Sequence, residues 1–184
     1  MILSKLDLKE YLESDKKSLG RVGKSPTVSD WIWRFEILLR KYEYYYNTKS
    51  LMRYFYGILF RNVSLRLGFT IPINVCDKGL AIVHYGTIVI SDGATIGENC
   101  RIHEGVCIGA TNGEKKAASI GKNVFVATGA KIIGQVNIAD NVAIAANAVV
   151  VQDIDEPGTT WGGVPAKKIS DKGSEPNMLR MIKI

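Results

Sequence analysis

The stretch Ile88–Ala110, IVISDGATIGENCRIHEGVCIGA, repeats with a period of six. Every sixth residue from Ile90 is aliphatic: Ile96, Ile102 and Ile108, then Ile120, Val126, Ile132, Ile138, Ile144 and Val150, with Glu114 the single interruption. Four residues beyond each rung the side chains are small or branched, as at Ala94, Cys100, Val106, Ala130 and Ala148. Three beyond, the column reads Gly93, Asn99, Gly105, Asn123, Gly129, Gln135, Asn141, Asn147 and Asp153. Gly, Asn and Asp are the residues that tolerate positive φ. An amphipathic helix does not fit, because positions six apart walk around a helix instead of lining one side. Six residues suffice for a short strand and a corner, so three such faces close a triangular coil. Coils stacked at roughly 4.8 Å set each aliphatic side chain on its counterpart below. The expected fold is therefore mainly β, a parallel β-helix with a core of stacked Ile and Val.

Upstream of the repeat the periodicity is helical. Ser4 can cap a helix reaching about Ser14, with Leu6, Leu8, Tyr11 and Leu12 as its stripe. Gly20, Gly23 and Pro26 break the chain, and Thr27 or Ser29 can cap a second helix marked by Trp31, Phe35, Leu38, Leu39 and Tyr42. A third follows Asn47–Ser50, with Leu51, Tyr54, Leu59 and Val63, and ends near Gly68. The domain reading is a helical region over 1–70, the β-helix over 71–170, and a tail over 171–184 with room for a short helix. The aromatic cluster from Tyr42 to Tyr56 reads as packing between helices and not as a binding cleft.

The 184 residues carry a formal charge of +6, and all of it lies in residues 1–70, where thirteen Lys or Arg face seven Asp or Glu. The basic residues are interleaved with acids and accompany no nucleic-acid-binding signature, so a solvated helical face is expected and nucleic acid is not. No apolar run is long enough to span a membrane and no secretory segment is visible. Cys76, Cys100 and Cys107 lack metal-type spacing, which favours a reduced cytoplasmic setting, packed thiols and no bound metal.

Chemistry is expected where the repeat breaks. Counting back by sixes from Ile90 places His84 in the aliphatic column, and His103 follows one coil later beside Glu104. The polar run Thr111–Ser119 replaces a rung and should leave a corner as a loop carrying Lys115 and Lys116. The run Thr159–Ile169, TTWGGVPAKKI, ends the coil and carries Lys167 and Lys168. A lone imidazole is commonly structural, but one set among aliphatic rungs invites a role as a general base.

The segment GLAIVHYGTIVISDGATIGENCRIHEGVCIGA, with GAKIIG at Gly129–Gly134 and GVPAKKI at Gly163–Ile169, resembles the hexapeptide-repeat acyltransferases, in their serine O-acetyltransferase-like branch, which includes polysaccharide and capsule O-acetyltransferases. The resemblance covers roughly 71–170 and implies a left-handed coil, a homotrimer and acetyl-CoA as donor. It places His84 on the catalytic base, puts Ala110, Thr128, Gly129 and Ala146 where backbone meets coenzyme A, and suggests Lys167 and Lys168 for its phosphates. It also implies departures from true serine acetyltransferases. Val83 stands where an aspartate precedes the histidine, Ala117 and Ala118 where a second histidine occurs, and Phe69 where a carboxylate orients the base.

The expected reaction is acetyl transfer from acetyl-CoA to a hydroxyl, with His84 as base and backbone N–H groups near Gly86 or Gly109 receiving the oxyanion. His103 is a further catalytic candidate, as base or as a group orienting His84 or the acceptor; the alternative is a solvent-facing corner residue. The departures favour a sugar hydroxyl in surface polysaccharide assembly as acceptor. The alternatives are serine acetylation for cysteine synthesis and a catalytically silent trimeric scaffold.

Overall fold

The computed structural model describes residues 1–178, so the last part of the 171–184 tail lies outside the described residues. Three helices come first: α1 (Lys5–Ser18), α2 (Trp31–Asn47) and α3 (Met52–Leu67). Ser4 caps α1 in a reciprocal box with Asp7. The cap of α2 is Asp30, whose carboxylate accepts from the Trp33 N–H, while the expected candidates Thr27 and Ser29 pair with each other at 3.1 Å. Gly68 ends α3 at φ 74°, the left-handed region that a residue without Cβ enters freely. The buried residues of α1 are Tyr11, from the expected stripe, and Asp15, whereas Leu8 and Leu12 are half-buried and Leu6 is 74% exposed. The aromatic cluster joins helix to helix, with Tyr45 stacked on Tyr56 at 4.8 Å and Tyr42 against Phe60 at 5.5 Å.

The rest of the chain winds as a three-faced prism. Its first face stacks Phe69–Thr70, Ile88–Ile90, Cys107–Gly109, Lys131–Ile133 and Val149–Val150, all parallel. The second stacks Thr95–Ile96, Ser119–Ile120 and Asn137–Ile138, with Cys76 and Ile154 bridging its two ends. The third runs from Ala81–Ile82 through Arg101–Ile102, Phe125–Val126 and Ala143–Ile144 to Thr160–Gly162, where Lys167–Ser170 turns back antiparallel and closes it. Because Phe69 already pairs with Ile88, the β region begins ahead of the 70/71 boundary read from the sequence. A four-residue helix, Glu175–Met178, lies in the tail.

The aliphatic column forms the interior: Ile90, Ile102, Ile108, Ile132 and Ile144 are each at most 1% exposed. Each such rung contributes about 1.5–3 kcal/mol by leaving water. The corners are of two kinds. Asn99, Asn123, Asn141 and Asn147, with Gly105 and Gly129, turn at φ between 55° and 75°. Gly93, Gln135 and Asp153, between the first and second faces, are not among the positive-φ residues, so the third column does not act uniformly. The asparagine side chains ladder from coil to coil, Asn99 donating to Asn123 at 3.2 Å and Asn123 to Asn141 at 3.0 Å.

A solenoid ends in an unpaired strand edge, whose N–H groups need acceptors. Here the helices supply carboxylates. Asp15 accepts from the N–H groups of Gly79 and Leu80, Glu36 from that of Ile82 at 3.0 Å, and Glu43 from that of Asn74 at 2.7 Å. One fully buried guanidinium ties these acids to the coil. Arg40 binds Asp15 at 2.7 Å and Glu43 at 3.0 Å, and donates to the carbonyls of Cys76 and Asp77. Burial pushes the Glu36 carboxyl well above the usual range, and Asp15 adds to the shift.

Candidate active site

His84 is not a rung. Ile82 fills the interior position and pairs with Ile102, and the next rung of the aliphatic column, Ile90, lies eight residues on instead of six. The corner between the third and first faces thus holds two extra residues here, and the bulge, Val83–Thr87, carries His84 outward into solvent. Counting by sixes through this insertion placed the imidazole in the core; the insertion is what exposes it.

The same corner in the coils above holds His103 with Glu104, then Thr128 with Gly129, then Ala146. His103 lies directly over His84, their ring centroids 5.4 Å apart and near perpendicular, with Phe125 packing on its other side at 5.1 Å. Its side chain is 19% exposed, and burial together with the nearby Arg101 charge lowers its pKa. It is therefore an uncharged imidazole near neutral pH, with a buried Nε2 that has no partner among the described residues.

Glu104 completes the corner. Its Oε1 accepts from the Thr128 hydroxyl at 2.6 Å, a bond that holds the carboxyl below its ordinary range. Its Oε2 stands 4.0 Å from His103 Nδ1, too far for a hydrogen bond and close enough for an ion pair if that ring were charged. Gly86 lies against it: a Cβ there would come within 3.0 Å of the Glu104 Cβ. In the sequence Glu104 stands out only as the neighbour of His103. Its bond to Thr128 spans an offset of 24 residues, the ordinary 18 plus the six by which the Thr111–Ser119 excursion lengthens this coil. His84, His103 and Glu104 also offer ligand atoms within 4.8 Å of one another, a donor set that could take one transition-metal ion.

The coenzyme candidates divide. Thr128, Gly129 and Ala146 share the histidine corner, and their small side chains leave the edge of the prism open. Gly109 ends the first-face strand Cys107–Gly109 and Ala110 follows it, one corner away from the histidines. Gly86 lies beside His84, and its N–H donates to no protein acceptor among the described residues. Lys168 is engaged by Glu156 at 2.8 Å and Asp171 at 2.6 Å, whereas Lys167 has no ion pair among the described residues. Lys115 and Lys116 are exposed on the loop. Cys76 and Cys100 are buried, and burial pushes the Cys100 thiol up to about 12, so neither is a nucleophile.

This arrangement can be set beside known proteins. Serine acetyltransferase of Staphylococcus epidermidis is 41% identical over 98 residues, and that of Staphylococcus aureus 40% over the same length. The match takes in 52% of this chain, which spans about half the length of these relatives, 46% of each. The crystal structure of serine acetyltransferase from Brucella abortus strain S19 superposes with a TM-score of 0.71 at 22% identity, covering 92% of this chain and 72% of that one. The β-helix is thus the fold found in this solved serine acetyltransferase. Its coil is accordingly left-handed. A second structure, Neisseria gonorrhoeae serine acetyltransferase in complex with serine, matches at 25% identity and a TM-score of 0.64, over 91% of this chain and 71% of its own. The Brucella abortus enzyme has also been solved in complex with coenzyme A, and matches with a TM-score of 0.70 over 92% of this chain and 70% of that one. No family model matches the chain. No helix among the described residues is long and apolar enough to cross a membrane.

Proposed function

We propose that the protein is an acetyl-CoA-dependent O-acetyltransferase. The observation that carries this is the outward His84 imidazole, backed by a neutral His103 and set on an open edge of small residues. His84 accepts the proton of the acceptor hydroxyl as its oxygen attacks the thioester carbonyl, and returns that proton to the departing thiolate. The Gly86 N–H, on the same bulge, faces the charge that develops on the carbonyl oxygen. His103 is a positioning residue: uncharged, and packed between His84 and Phe125, it holds the base ring without competing for the proton. Thr128, Gly129 and Ala146 form the bed for the donor's pantetheine arm and Lys167 meets its phosphates. Lys168, held by two carboxylates, does not serve in this reading, and neither does Ala110. The trimer implied by the resemblance and the cytoplasmic setting read from the cysteines go with this reading.

The relatives' names favour serine over the sugar hydroxyl expected from the sequence, and serine is the acceptor we place first. A sugar remains the second reading on one observation. Phe69, Ala117 and Ala118, which stand where acid and histidine groups of the serine acetyltransferases are expected, are apolar and buried, and Val83 is apolar too. Thiol release from acetyl-CoA decides between them. Release stimulated by L-serine supports the first reading; release with hexoses or uronic acids but not serine supports the second. Coenzyme A binding without turnover on any hydroxyl would leave only a scaffold.

A further inference from the structure

A cleft of about 420 Å³ opens between the segment leading into α2 and the bulge that carries His84. Val83 and Tyr85, the two neighbours of His84, line it, together with Arg21, Lys24 and Trp33 from the helical region and Arg101 from the next coil. A second hollow, of about 310 Å³, continues from it along Arg21, Lys24, Ser29 and Tyr85. The Tyr85 hydroxyl donates to the Ser29 carbonyl at 3.4 Å, so the helical segment is fastened beside the imidazole.

The charge in this cleft is unbalanced. Three cations face a single carboxylate, Asp30, which is already held by the Trp33 N–H and by Arg21 Nη2 at 3.0 Å. Both arginines are under-used. A guanidinium carries five N–H donors. Arg101 gives one, to the Asn177 carbonyl at 3.0 Å, and Arg21 gives one to Asp30. The Nε atoms of both are buried without a partner among the described residues. Unpaired buried donors are costly, and the N–H fork of a guanidinium, present twice in this cleft, matches a planar or tetrahedral anion. Burial lowers the Arg101 pKa with no acid acting against it.

We infer that this cleft binds an anionic group, carboxylate or phosphate, of the acyl acceptor. The inference rests on the acetyl-transfer reading for the word acceptor, and on the cleft itself for the anion. The location separates acceptor from donor. The cleft is built on Ile82, Val83, Tyr85 and Arg101, in the first two coils and on the helical side of His84. Thr128, Gly129, Ala146 and Lys167 lie in later coils, toward the other end of the prism. The hydroxyl to be acetylated would then be held by the charge of its own molecule. Serine would offer its carboxylate, and a sugar a uronate or phosphate.

The test uses the full chain and needs no turnover at first. The arginine Nε–Hε resonances are followed by NMR during titration with inorganic phosphate. Saturable shifts at Arg21 and Arg101 are expected, with the Arg21 shift lost in Arg101→Ala and kept in part in Arg101→Lys. Absence of saturable shifts at both residues overturns the site whether or not the protein proves to be an acetyltransferase. Acceptor pairs differing in one charge then identify the source: L-serine against L-serinamide, and glucuronate against glucose. Arg101→Ala should cost the charged member of the productive pair about tenfold or more in kcat/KM, the loss of one charge-assisted contact, and leave the KM for acetyl-CoA within about twofold. A raised KM for acetyl-CoA with unchanged acceptor preference would assign the anion to the donor and overturn the inference.

Discussion

Replacing His84 by alanine separates chemistry from architecture, because the side chain lies outside the prism. A positioned general base contributes about 10²–10⁴-fold, and at about 1.36 kcal/mol per tenfold this is roughly 2.7–5.4 kcal/mol of barrier. The stability change should be far smaller. Ile82, not His84, fills the interior, and the imidazole is exposed, so its removal opens no cavity. Surface changes of this kind stay within about 0.5 kcal/mol. The expected outcome is thus near-complete loss of acceptor-dependent thiol release, with an unchanged melting curve and unchanged coenzyme A affinity by calorimetry. His103→Ala should lose less, since that ring is placed to hold the base and not to take the proton. If His84→Ala keeps more than about a tenth of the rate, or if His103→Ala is the more damaging, the assignment of roles is wrong.

Two further predictions concern the cap on the open coil. Arg40→Ala strands Asp15 and Glu43 and leaves the carbonyls of Cys76 and Asp77 without their donor, so urea denaturation should show a loss of about 3–5 kcal/mol. A near-neutral result would mean that the helices are fastened to the prism in some other way. Glu36→Gln should stabilise the protein at alkaline pH. With its folded pKa raised above the unfolded value, Glu36 keeps a proton that the unfolded chain gives up, so stability falls as pH climbs from the unfolded toward the folded pKa. Glutamine keeps the bond from the Ile82 N–H and does not titrate, so its melting temperature should decline less across that window; parallel declines would refute the protonated state.

The six-residue period was sufficient for the architecture because stacking of like on like is a local relation, repeated at a fixed offset along the chain. Ile90, Ile102 and Ile132 must each be interior if any one is, and Asn99 and Asn123 must each turn a corner. The same counting failed at His84. A two-residue insertion leaves the neighbouring rungs in place and changes only which side chain faces water, so register by sixes cannot detect it. The helix caps were half legible: Ser4 with Asp7 is a short-range pattern, whereas the choice of Asp30 over Thr27 and Ser29 follows from how the chain folds back on the prism.

What the sequence determined alone was the prism, its core column and the presence of two imidazoles about one coil apart. The tertiary structure decided their use. Glu104 meets Thr128 only because the Thr111–Ser119 excursion leaves and rejoins the coil in register. Arg21 reaches the vicinity of Arg101, and Arg40 the first coil, only because the helices dock on the open strand edge. Those contacts join residues tens of positions apart with no repeat between them. Their energy comes from desolvated charge and satisfied backbone donors, and neither leaves a period in the sequence to be counted.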